Sequence, residues 1–112
     1  MINFHQLQML CMQEERILQY IGLYEEFFLY GAGKYGIILL NILREKGIEP
    51  AGFLVTDGKK SQDKVDGLPV YELKDLNKTE VGIILTVYYP LQQEMIERLK
   101  CHGINDYMTL FK

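Results

Sequence analysis

The sequence predicts an α/β domain built on a mainly parallel, five-stranded sheet in the order 3-2-1-4-5, with flanking helices and an extra N-terminal helix. Three observations predict it. Short apolar runs at Phe27–Tyr30, Ala51–Thr56 and Val81–Val87 alternate with stretches of helical period. Strands separated by helices of about a dozen residues need crossovers, and crossovers make the strands parallel. The run Val81–Val87 is apolar almost throughout, as a central parallel strand covered on both faces must be.

The elements follow in order. Asn3 is a good helix N-cap, because its side-chain oxygen accepts from free backbone N–H groups. Phe4, Leu7, Cys11, Leu18 and Ile21 then recur at helical spacing, widened by Leu10 and Ile17. This predicts an amphipathic helix over 4–21 that ends at Gly22. Phe27-Phe28-Leu29-Tyr30 is short and aromatic, which favours a buried first strand. Past the loop Gly31–Gly36, Ile37 to Leu43 run into Arg44-Glu45-Lys46-Gly47. That is a helix with basic residues in its last turn, where the dipole favours them, and glycine at C′.

Ala51–Thr56 is the second strand, and the polar stretch 57–67 reads as a loop. Leu68-Pro69-Val70-Tyr71 is a short, peripheral third strand, since Pro69 has no N–H for a ladder. Glu72 to Leu76 form about one helical turn. After the fourth strand, Pro90 starts a helix whose Leu91, Met95, Ile96, Leu99 and His102 share a face, closed by Gly103. Asp106 to Leu110 are the last strand. The 112 residues make a single domain, with the N-terminal helix over 1–22 and an α/β core over 27–110.

One constellation carries chemistry. Gly31-Ala32-Gly33-Lys34-Tyr35-Gly36 is a GxGxxG that leaves a predicted strand and opens a predicted helix. The acid Asp57 ends the second strand about 20 residues further on, as the Rossmann dinucleotide fingerprint requires. Gly31 permits the tight turn, Gly33 leaves the backbone open to a phosphate, and Gly36 lets helix and strand pack closely. The N–H groups near Gly33, Lys34 and Tyr35 point at an anion that the helix dipole favours. Asp57 is placed to accept from ribose hydroxyls and to repel a 2′-phosphate, which favours NAD or a nucleotide without that group. Thr86 and Tyr88 lie at the carboxyl end of the fourth strand, the edge that faces a ligand crevice. Tyr88 or its neighbour Tyr89 either stacks on a base or sugar or covers a core edge. Lys34 either reaches the phosphate or stays solvated.

Other classes are excluded. With 12 basic against 15 acidic residues the net charge is −3, so there is no basic surface for nucleic acid. Cys11 and Cys101 form no CxxC and no Cys/His cluster of metal spacing, and read as free thiols of a reducing compartment. The first residues are not a signal peptide, and no run approaches the roughly 20 apolar residues of a membrane helix. A cytoplasmic protein is expected. His5 and His102 have no nucleophile and orienting group beside them in the sequence, so no catalytic residue is assigned.

Residues 27–110 resemble a family of bacterial domains. The matching stretches are Phe28–Gly33, Gly47–Asp57 and Gly67–Tyr71 with Leu73 and Leu76, together with the apolar fourth strand and the helix closed by Gly103. They look like the Rossmann-like N-terminal domain of bacterial amino-sugar acetyltransferases that act on UDP-sugars. Similar domains precede capsule-type nucleotide-sugar dehydratases and accompany methyltransferases and glycosyltransferases. The resemblance implies a UDP-sugar at Gly31–Gly36 and Asp57, with acetyl transfer on a separate β-helix. This chain has Lys34-Tyr35-Gly36 where that family often has Gly-His-Gly, and Thr56-Asp57-Gly58 where it often has two or three acids.

The function expected is therefore a non-catalytic module that binds a nucleotide, nucleotide-sugar or NAD for a catalytic domain or partner chain in surface-polysaccharide metabolism. The alternatives are a small NAD-dependent oxidoreductase, for which 112 residues leave little room, and a ligand-free interaction domain that dimerises through the N-terminal helix.

Overall fold

Each apolar run becomes a strand, and their order in space is the one their order in sequence predicts. A computed structural model describes residues 13–77, 80–87 and 89–110, with the backbone alone at Tyr89. Residues 4–12 of the first predicted helix, with His5 and Cys11, lie outside the described residues, as does Tyr88. The elements are α1 (Glu14–Ile21), β1 (Phe27–Tyr30), α2 (Lys34–Glu45), β2 (Gly52–Val55), β3 (Lys64–Val65), β4 (Leu68–Glu72), a 3-10 turn (Leu73–Asp75), β5 (Gly82–Leu85), α3 (Tyr89–Cys101) and β6 (Met108–Thr109).

The sheet has six strands in the order β3-β4-β2-β1-β5-β6. β1 lies between β2 and β5, with Leu29 opposite both Phe53 and Ile84. The β2–β4 and β5–β6 pairs are also parallel. The predicted strands 3-2-1-4-5 are thus β4, β2, β1, β5 and β6. The sixth strand corrects the expectation of a loop over 57–67. Lys64-Val65 folds back antiparallel on Leu68-Pro69. The turn is Asp66-Gly67, both residues at positive φ (49° and 79°). Paired positive φ values are what a two-residue type I′ hairpin needs, and Asp-Gly supplies them.

Strand alternation divides the core. Phe27 and Leu29 of β1 face one side with Phe53 and Ile84, and α1 and α2 cover them with Ile17, Ile21, Leu39, Leu40 and Leu43. Phe28 and Tyr30 face the other side with Leu54, Ile83 and Leu85, under Met95, Ile96 and Leu99 of α3. Both faces are covered, which is why the strands read as continuous apolar runs. α2 and α3 end alike. Ile48 N–H donates to Leu43 O and Gly47 N–H to Arg44 O, while Ile104 N–H donates to Leu99 O and Gly103 N–H to Lys100 O. These are Schellman closures, with the residue after each glycine returning to the core.

The buried face of α3 differs from the one the sequence predicts. Leu91 is 55% exposed, and Gln92 is buried in its place. Residues 92, 95, 96 and 99 follow the i, i+3, i+4, i+7 rule of a helix face. Gln92 is tolerated there because its Nε2 donates to Val87 O at 3.0 Å. Among the described residues no helix is long and apolar enough to cross a membrane, and no group of three or more His, Cys, Asp or Glu could hold a metal ion.

Candidate functional site

Parallel strands put all their carboxyl ends on one edge, and the predicted site residues gather there. β1 stops at Tyr30, and Gly31 (φ 120°) turns the chain out of the sheet while its N–H still donates to Leu54 O at 2.9 Å. A side chain at Gly31 would meet Thr86 Oγ1 at 2.8 Å. α2 begins at Lys34, so Lys34, Tyr35 and Gly36 form its first turn rather than a loop. Ala32 and Tyr35 pack against the core. Gly33 and Lys34 face outward, with Lys34 Nζ 5.6 Å from the centre of the Tyr35 ring.

Gly36 is locked by packing. A Cβ there would sit 2.2 Å from Gly31 O and 3.0 Å from Phe53 Cε1. Gly33 is different. It is the N-cap of α2, extended at φ −92° and ψ −156°, no side chain caps it, and a Cβ would have nothing within 4 Å. The first N–H groups of any α-helix lack intrahelical partners and carry the positive end of the dipole.

Thr86 lies behind this turn rather than in front of it. It is 3% exposed, and its Oγ1 reaches Tyr30 O at 3.1 Å and Gly31 O at 2.8 Å. Carbonyls only accept, so the hydroxyl donates to them and ties the β5 end to the β1 turn.

Beside Gly31 a cavity of about 260 Å³ opens between the end of β2 and α3. Val55, Val87, Leu91 and Met95 give it apolar walls, and Lys59 and Glu94 bring one charge of each sign. Tyr30 and Thr56 also line it, with their hydroxyls hydrogen-bonded at 2.8 Å. Burial pushes the Tyr30 phenol above its ordinary value, against the effect of its hydrogen bond with Thr56, so it stays protonated at neutral pH. The volume lies just under the ~300–1,000 Å³ of drug-sized sites. The cavity is an open hollow with room for about one ring.

Asp57 stands elsewhere on the same edge. Its Oδ1 accepts from Lys74 N–H at 2.8 Å, and Glu72 in turn accepts from Gly58 N–H. It lines a second cavity, also about 260 Å³, with Leu73, Arg98, Cys101 and His102. His102 Nε2 is 2.8 Å from Leu76 O. A carbonyl cannot donate, so the ring N–H does, and His102 ties α3 to the segment after the 3-10 turn. Sequence reasoning passed over Tyr30, Thr56, Lys59 and Glu94. Their one available signal was position, since Tyr30, Thr56 and Lys59 end or follow strands whose carboxyl edges meet.

No family model and no curated protein matches this chain. A solved structure does. The chain is similar to the acetyltransferase domain of PglB from Neisseria gonorrhoeae, solved in complex with acetyl coenzyme A. The TM-score is 0.53 at 20% identity, over 72% of this chain and 41% of that one. The two share a fold. This chain spans less than half the length of its structural neighbour.

Proposed function

We propose that this chain is a binding module. It holds the phosphate of a nucleotide-type molecule, a nucleotide-sugar or NAD, on the first turn of α2, and it serves sugar-modifying chemistry carried by another domain or chain. Gly33 carries the reading. At an N-cap glycine costs only a few tenths of a kcal/mol against Asp or Ser, and here neither its backbone angles nor any neighbour demands one, so the amides of the first turn stand open beside it. That open space would admit a phosphate to the backbone, where a side chain would stand in its way. The dipole of α2 adds attraction for an anion. The fold likeness supports the setting, because the neighbour was solved with acetyl coenzyme A, itself a nucleotide bearing a pyrophosphate.

The test is calorimetry with UDP-N-acetylglucosamine, NAD and acetyl coenzyme A, on the wild type and Gly33→Asp. An aspartate caps the helix well and complements its dipole, so Gly33→Asp should hold or raise stability by about 1 kcal/mol. The same carboxylate occupies and repels the phosphate seat, so affinity should fall at least 100-fold. Absence of heat with all three ligands, or undiminished binding by Gly33→Asp, refutes the reading.

One observation favours a ligand-free interaction domain instead. Gly31 and Gly36 are accounted for by packing against Thr86 and Gly31 O. The same titration decides, since that reading requires silence from every ligand.

A further inference from the structure

We propose that Glu94, and not Asp57, is the carboxylate that reads the hydroxyl groups of the ligand, holding a ring with vicinal hydroxyls, a ribose or a pyranose, in the cavity beside Gly31. This rests on the first turn of α2 being the phosphate seat. Asp57 is occupied. Its Oδ1 satisfies Lys74 N–H, and the neighbouring Gly58–Glu72 bond folds the same turn onto the 3-10 segment. The cavity it lines does not include Gly31.

Glu94 lines the cavity that does. It stands on α3, three residues after the exposed Leu91, and Arg98 Nη2 steadies its Oε1 at 3.1 Å. A carboxylate has about four lone-pair positions, so one such bond leaves room for two hydroxyl donors. Val87, Leu91 and Met95 offer the apolar contact that the carbon face of a sugar ring takes. Tyr30 and Thr56 share one hydrogen bond between two hydroxyls. Tyr30 is 0% exposed and Thr56 is half-buried, so with Tyr30 donating to Thr56 the threonine hydrogen is left over for a ring or exocyclic oxygen.

The experiment titrates UDP-N-acetylglucosamine, UDP and 2′,3′-dideoxy-UDP into wild type, Glu94→Gln, Asp57→Asn and Gly33→Asp. Glu94 is an exposed helix residue, so the glutamine variant should melt with the wild type. The expected result is a tenfold or greater loss of affinity in Glu94→Gln for the hydroxylated probe. That loss should disappear with the probe lacking the hydroxyls that are read. Dependence on the dideoxy change assigns ribose, and dependence on the appended sugar assigns the pyranose. Wild-type affinity in Glu94→Gln, with the loss falling on Asp57→Asn, overturns the proposal while leaving the phosphate seat intact. Silence of the wild type, or indifference to Gly33→Asp, overturns the seat and this proposal together.

Discussion

At the scale of single residues, the three glycines of one motif do three different jobs. Gly31 turns the chain at positive φ, Gly36 admits the carbonyl of Gly31, and a side chain begun at Gly33 would enter open space. Gly36→Ala should therefore cost about 2–3 kcal/mol, because a backbone carbonyl 2.2 Å from the new methyl cannot step aside as a flexible side chain would. Urea unfolding would show it as a lowered midpoint, and an unchanged midpoint would disprove the close packing. Thr86 belongs to the same cluster. Thr86→Val keeps the shape and deletes the hydrogen bonds to Tyr30 O and Gly31 O. Each buried carbonyl then loses a partner, although Tyr30 O keeps the bond from Thr86 N–H. The expected loss is about 1–3 kcal/mol, read as a lowered urea midpoint. Motif spacing made the glycines legible in the sequence. It said nothing about Thr86 facing inward, since that depends on how β5 sits beside β1.

At the scale of elements, α1 is fastened by polar bonds as well as by its apolar face. Tyr20 OH accepts from Ile83 N–H at 3.0 Å, Arg16 donates to Thr109 O at 3.0 Å, and Gln13 donates to Leu110 O. Burial pushes the Tyr20 phenol from 10.0 up to about 12. The bond from Ile83 opposes the rise and the charge of Asp106 adds to it. The folded state thus holds the proton more tightly than the unfolded chain. The stabilisation is complete below pH 10 and is lost as pH climbs from 10 to about 12. Stability measured across that window should fall, and Tyr20→Phe should flatten the decline without removing it, because Tyr30 is raised too. A Tyr20 phenolate band emerging near pH 10 would contradict this. Element type was legible here from period and end signals, the Gly47 and Gly103 closures included. Phase was not. Gln92, rather than Leu91, turns inward because Val87 O waits for its amide. The Asp66-Gly67 hairpin was written in the sequence but lay hidden in a polar stretch with no apolar run to announce it.

At the scale of the whole molecule, both faces of the sheet are covered, and cavities open at its edges, beside Gly31 and Asp57 at the carboxyl ends of the strands and beside Glu26 and Ala51 at the amino ends of β1 and β2. The apolar stripe of α1 over Glu14–Ile21 is spent within the chain, with Ile17 2% and Ile21 8% exposed. Removing residues 1–22 would strip both isoleucines from the α1–α2 face. At about 1.5–3 kcal/mol each, that is a large share of the ~5–15 kcal/mol that holds a domain together. The truncated chain should unfold or bind a hydrophobic dye, and a truncation that stays folded with an unchanged melting temperature would show α1 to be dispensable. Of the first helix, expected as a dimer contact, residues 1–12 lie outside the described residues. The sequence by itself determined the strand–helix alternation, the parallel sheet and its order, and the turn that opens α2. Those follow from local apolar period and from glycine at fixed spacing. Only the tertiary structure decided which groups share a cavity. Asp57 is drawn to Lys74 N–H, 17 residues away, while Glu94 and Tyr30 meet beside Gly31. Such meetings depend on where distant elements dock, and local residue preferences carry no term for that distance.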